Sequence, residues 1–216
     1  MTLESSRTMG GIGALLIVIG ALPFLGAYTS ILSLIGLILV LIALNGLANI
    51  YNERGIFNNA LYGILAGIVG IVVSAAILIF AGVGFLNALG IDITTLINDP
   101  AAFSRIDWTR FTMFADILPY LAIAFAGLVV LFVFFVLSAF FVRRSFNLTA
   151  AKSGVGMFNT AGLLLLIGAV LTIILIGLLL MFIAAILLIV AFFQIRSQPA
   201  GTGALPPPPT PPQQTA

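Results

Sequence analysis

Apolar and polar positions in this chain segregate into long blocks instead of alternating. Residues 8–52 and 153–195 carry no charged side chain at all, and 59–91 and 117–142 are two further uncharged blocks. A helix rises about 1.5 Å per residue and the hydrocarbon core of a bilayer is about 30 Å thick, so one crossing takes roughly 20 apolar residues. Each end block is about twice that length, so each holds two helices and a turn. The expected spans are 8–22, 30–47, 59–86, 113–142, 157–174 and 177–195. Pro23 and Gly26 turn the first pair, because proline cannot continue a helix. The last pair divides at 172–177, a turn with almost no polar marking.

Between the spans, 49–55 is a polar loop and 143–153 a basic one. The longest extramembrane stretch is the outer loop 92–112, where Asp99 and Pro100 read as an N-cap and first helical residue. Phe103, Trp108 and Phe111 lay that segment on the interface, where aromatic rings favour the headgroup level. Residues 24–27 offer no small residue three positions before a cleavage point, so the first span is expected to be retained. The tail 197–216 is proline-rich, extended and disordered.

Composition agrees: 62% of residues are hydrophobic and 6% charged, and mean hydropathy is +1.31. Soluble domains carry about 25% charged residues to solvate their surfaces. The expected fold is therefore an all-α integral membrane helical bundle of about six transmembrane helices, in one domain over 1–196. The alternative is four spans with re-entrant end hairpins.

Six of the eight basic residues (Arg7, Arg54, Arg143, Arg144, Lys152 and Arg196) fall on the side that holds both termini. Cytoplasmic loops collect Lys and Arg, so both termini are expected to be cytoplasmic in a cell membrane. That placement also leaves the sequon at Asn147 unglycosylated. A self-alignment at an offset of 148 residues places Leu15, Ile19 and Gly20 opposite Leu163, Ile167 and Gly168, a match that a small apolar alphabet produces readily; an internal repeat of the end pairs is the alternative reading.

Chemistry is limited by inventory. Without cysteine or histidine, disulfides, thiolate or imidazole metal ligands and His/Cys catalysis are excluded. No span carries an ionisable group at mid-depth, where such groups mark ion pathways. Asp116, beside Pro119, lies at an outer span end. Ser138 and Thr172 are expected to bond their own helix carbonyls. Catalytic, cofactor and metal residues are read as none, although the outer acids Asp92, Asp99 and Asp107 leave a metal-dependent enzyme as a remote third reading. The net charge of +2, with no Lys/Arg run, argues against nucleic acid.

Two features remain. Gly63, Gly67, Gly70 and Ser74 form one face of the third span, and small residues let helices approach closely in lipid. This face packs either inside the bundle or against a homo-oligomer or membrane-protein partner. Arg54, Arg143, Arg144 and Lys152 read first as ordinary positive-inside anchors, and secondly as candidate contacts for anionic lipid headgroups.

The segments Arg7-Thr8-Met9-Gly10-Gly11, Arg54-Gly55-Ile56-Phe57-Asn58-Asn59, Arg143-Arg144-Ser145-Phe146-Asn147, Ser153-Gly154-Val155-Gly156 and Ala191-Phe192-Phe193-Gln194-Ile195 resemble an archaeal family of multi-pass membrane proteins, domain of unknown function number 996. The resemblance covers roughly residues 5–196 and implies a prokaryotic cell-membrane location. It brings no activity, ligand or site residue. The leading functional expectation is a non-enzymatic scaffold, assembly factor or oligomeric component acting through helix–helix and lipid contacts. The alternative is a channel or carrier for small uncharged or lipid-like solutes.

Overall fold

The computed structural model describes residues 1–22, 29–99, 101, 104 and 114–196. Those residues are helical almost throughout: α1 (Leu3–Gly20), α2 (Thr29–Ile50), α3 (Arg54–Ala88), α4 (Ile93–Asn98), α5 (Phe114–Ser153), α6 (Met157–Leu171) and α7 (Ile176–Gln194). Among the described residues five segments are long and apolar enough to cross a bilayer: Ile31–Ile50, Arg54–Ala88, Ile117–Ser153, Met157–Ile174 and Ile176–Gln194. The expectation of about six spans meets its limit at α1. That helix has 18 residues, but Glu4 and Arg7 sit in its first turns, and the uncharged remainder, 8–20, reaches only about 20 Å.

Of the two expected inner loops, 49–55 shortens to a turn at 51–53 and 143–153 is helix throughout. α3 starts at Arg54, ahead of 59, and the stretch 143–153 continues α5 to Ser153. No glycine or proline interrupts 143–153, and its Thr149 and Ser153 hydroxyls are satisfied by the helix's own carbonyls. Thr149 donates to the Ser145 carbonyl at 2.9 Å and Ser153 to the Thr149 carbonyl at 2.7 Å. α5 ends where Gly154 turns to φ +72°, a left-handed conformation that glycine adopts without steric cost. Its N–H bonds the Ala150 carbonyl at 2.9 Å.

Packing runs round a closed circuit: α1 on α2, α2 on α3, α3 on α5, α5 on α6, α6 on α7, and α7 back on α1. Three antiparallel hairpins thus form a ring. α3 and α5 make its longest seam. Near the chain termini this seam is tied by Lys152 Nζ to Glu53 at 3.4 Å and by Ser145 Oγ donating to the Ile56 carbonyl at 2.6 Å. At the far end Phe85 meets the edge of Tyr120 at 5.9 Å. The end carrying the termini, called the basic end below, is closed by buried Leu44, Leu47, Ile56, Phe146, Phe158 and Phe192. Phe158 stands edge-on to Phe192 at 5.1 Å.

The seams rest on glycine. A Cβ on Gly13 would lie 2.7 Å from the Gly36 carbonyl oxygen, and one on Gly168 would lie 2.9 Å from that of Gly177. Gly10 and Gly11 face the rings of Phe192 and Phe193, and Gly162 lies against the Arg143 backbone. α2 and α3 share less packing than any other neighbouring pair, and none of the described glycines makes a close contact across that seam.

Opposite the basic end, α6 and α7 join through a 3-10 turn, Thr172–Ile174, and Leu175 at φ +61°. Thr172 donates to the Gly168 carbonyl at 2.8 Å, as expected from the sequence. Ile173, Ile174, Leu175 and Ile176 are all exposed, so the tip is apolar.

Gly13→Leu should lower the thermal stability of the detergent-solubilised protein by about 1–3 kcal/mol, the usual range for overpacking. Gly82→Leu, where a Cβ would meet nothing within 4 Å, should leave it nearly unchanged. Circular-dichroism melting of both variants in the same detergent checks the contrast.

Candidate functional site

Inside the ring is an apolar cavity of about 250 Å³, to which every long helix contributes. Ile17 of α1, Leu41 of α2, Ile64 of α3, Ser138 of α5, Leu165 of α6 and Met181 of α7 all line it. Small residues keep the space open, since Ala60, Ala139, Ala161, Ala184 and Ala185 also face it. Ser138 supplies the hydroxyl. Contrary to expectation, it has no hydrogen-bond partner among the described residues, whereas Ser74 donates to the Gly70 carbonyl at 2.7 Å. The Ser138 hydroxyl turns toward Gly67, where an added Cβ would lie 3.4 Å from its oxygen.

The small-residue face of the third span is filled by α5 of the same chain. A Cβ on Gly63 would lie 2.7 Å from Val142, and one on Gly70 would strike Phe134. Gly63, Gly70 and Ser74 are buried. The similarly spaced Gly177, Ala184 and Ala191 of α7 are buried too.

The four basic residues expected at headgroups share one end of the bundle but not one environment. Arg54 and Arg144 are exposed. Lys152 pairs with Glu53, both partly exposed; surface pairs of this kind contribute about 0–1 kcal/mol. Arg143 is half-buried, and its Nε is fully buried without a hydrogen-bond partner. Its stem lies 3.4 Å from where a Gly162 Cβ would be. Its sequence neighbour Val142, and Phe146 beyond it, line the cavity. Arg7 sits elsewhere on this end and donates to the Ile195 carbonyl at 3.5 Å.

On the opposite side, a short helix begins earlier than the Asp99-Pro100 signal suggested. Asp92 caps α4, accepting from the Thr94 N–H and hydroxyl, both at 2.9 Å. Asp99 does the same locally for the Ala101 N–H at 3.1 Å. Both carboxylates are thus engaged with their own backbone. Pro23, Gly26, Pro100, Phe103, Arg105, Asp107, Trp108, Arg110, Phe111, the Asp116 side chain and the tail 197–216 lie outside the described residues.

The sequence reading missed two features, the unpartnered hydroxyl of Ser138 and the burial of Arg143. The signal for Arg143 was present. It directly follows the apolar block 117–142, so a helix that continues must draw it into the packed end.

The Thr94 N–H, and then its hydroxyl, hold the Asp92 carboxyl below the usual aspartate range. A lowered folded-state value means that this cap contributes above the ordinary aspartate range and is lost as pH falls through the lowered value. Hydrogen exchange at the Thr94 amide should therefore accelerate, relative to that of α3, only at strongly acid pH. Asp92→Ala should show the fast rate at neutral pH.

Comparison with known proteins gives a family but no activity. A family model described as "Protein of unknown function (DUF996)" matches residues 32–186. An uncharacterized protein of Methanocaldococcus jannaschii is 29% identical over 195 residues, covering 90% of this chain and 94% of that protein. No solved structure matches. The family match spans most of α2, the whole central hairpin, α6 and part of α7, and leaves one conclusion. The chain belongs to the DUF996 family of proteins of unknown function, as an all-helical membrane bundle.

Proposed function

We propose that this protein is a non-enzymatic membrane component that holds an uncharged or lipid-like solute in its central cavity, as a binding protein or carrier. The observation that carries this reading is the apolar cavity, built from all six long helices and holding one unpartnered hydroxyl, Ser138. Ligand sites are concave and mostly apolar, with a few polar groups that fix orientation. A hydrocarbon segment makes van der Waals contact with the walls, and Ser138 donates to a carbonyl, ester or hydroxyl oxygen of the ligand. Lipid is the solvent on all sides of the bundle, so such a ligand is always at hand.

The scaffold reading drew its support from the face Gly63, Gly67, Gly70 and Ser74. α5 fills that face, which favours packing within one bundle over a partner helix. The sequence inventory, without histidine or cysteine, supports a role without a chemical step. The basic end, with Arg54, Arg143, Arg144 and Lys152, supports a cytoplasmic position for both termini in a cell membrane.

The test is ligand retention. Full-length protein in mild detergent, incubated with a long-chain monoacylglycerol and analysed by native mass spectrometry, should bind one molecule. Ala185→Phe, which fills the cavity from a half-buried position, should reduce binding at least tenfold while helicity is kept. Ser138→Ala should weaken binding about five- to tenfold, as expected for one hydrogen bond of about 1–1.5 kcal/mol. Retention of the probe by Ala185→Phe at the wild-type level would sink the proposal.

A further inference from the structure

The cavity lies close in the chain to Arg143, one of whose guanidinium nitrogens has no hydrogen-bond partner among the described residues. Arg143 follows Val142 directly and precedes Phe146 by less than one helical turn, and both of those residues line the cavity. Its Nε is buried without a hydrogen-bond partner. Buried polar atoms are nearly always satisfied, and an orphaned one calls for a missing ligand, ion or water. Neither acid of the basic end serves it: Glu53 is paired with Lys152, and Glu4 lies in the first turn of α1. A guanidinium near a membrane surface matches phosphate oxygens in number and geometry.

Resting on the cavity reading above, we infer that the occupant is an anionic membrane lipid. Its phosphate headgroup is held by Arg143 at the basic end, and one hydrocarbon chain runs into the cavity past Ser138. Charge complementarity and depth select this occupant. The cation stands at the end of the apolar block, where headgroups lie, and the cavity continues inward among Ile17, Leu37 and Met181. The volume of about 250 Å³ is smaller than the usual 300–1,000 Å³ of small-molecule sites. It suits one chain segment, not a whole lipid, so the head and second chain stay outside.

α2 and α3 form the loosest seam of the ring, and Leu37, Val40 and Leu41 of α2 face Ala60 and Ile64 of α3 across the cavity. The α2–α3 seam is therefore where the cavity wall is least tightly packed.

The experiment uses full-length protein, stripped of lipid in detergent and titrated with phosphatidylglycerol or phosphatidylcholine of identical chains, with retained lipid read by native mass spectrometry. Wild type should prefer phosphatidylglycerol by about fivefold, the worth of one basic residue at an anionic headgroup. Arg143→Gln should bring the preference to parity. Arg196→Gln removes one charge from an exposed position at the same end and should leave the preference intact. Equal binding of the two lipids by wild type, or equal losses in Arg143→Gln and Arg196→Gln, would overturn the headgroup assignment. If Arg143→Gln does not fold, Arg143→Lys serves, because it keeps the charge but loses the two-pronged geometry; the preference should fall without vanishing. Monoacylglycerol binding that survives while lipid preference is absent refutes this inference and leaves the cavity function standing. Loss of both refutes the cavity function too.

Discussion

Close backbone approach at glycine holds this bundle together. In lipid the surroundings of a helix are as apolar as its partner, so burial of side chains drives little association, and dispersion at short range decides which helices meet. Gly13 with Gly36 and Gly168 with Gly177 bring backbones into contact in the two end hairpins, and Gly63 and Gly70 do so along the central one. Gly162 joins the central hairpin to α6, while Gly10 and Gly11 receive Phe192 and Phe193 where the ring closes. The seam without such a contact, α2 against α3, is also the loosest. Rigid and yielding parts of the ring thus follow from where glycine occurs.

This distribution explains why the cavity lies where it does. Glycine-tight seams pull the helices together in pairs, and alanines on the inner faces leave the pairs unable to fill the middle. At the basic end large aromatic residues close the gap, with Phe158 at its centre between Phe146 and Phe192. Beyond that plug a partly open apolar volume remains among the six helices. One polar group breaks the apolar pattern there, Ser138, while Arg143 lies next in the chain to the lining residue Val142.

Much of this fold was legible in the sequence because the dominant signal, uncharged length, is a property of composition alone. The four blocks, the two end hairpins and the clustering of basic residues all follow from it. Helix ends were harder to place. The run 143–153 reads as a loop by polarity, yet in a helix that leaves the membrane polar residues are no reason to stop. Only Gly154 ends it. α1 shows the same difference at its start, where the polar residues 3–7 ahead of the expected span are already helix. The face Gly63, Gly67, Gly70 and Ser74 was evident from spacing, but spacing does not say which helix it meets; that took the register of α5, with Val142 over Gly63 and Phe134 over Gly70. The orphaned state of Arg143 and Ser138 could not be read at all, because a missing partner is a property of the packed structure.

The apolar tip between α6 and α7 has a consequence for how the chain is made. Ile173 to Ile176 carry no group that must stay in water, and Thr172 spends its hydroxyl on the Gly168 carbonyl. A tip of this kind opposes no movement into hydrocarbon, so the two helices can leave the insertion machinery together as a preformed hairpin. Nothing on that tip fixes its depth or its sidedness. The charges nearest the hairpin in the chain are Arg143, Arg144, Lys152 and Arg196, and basic residues of this kind are the ones that resist transfer through hydrocarbon.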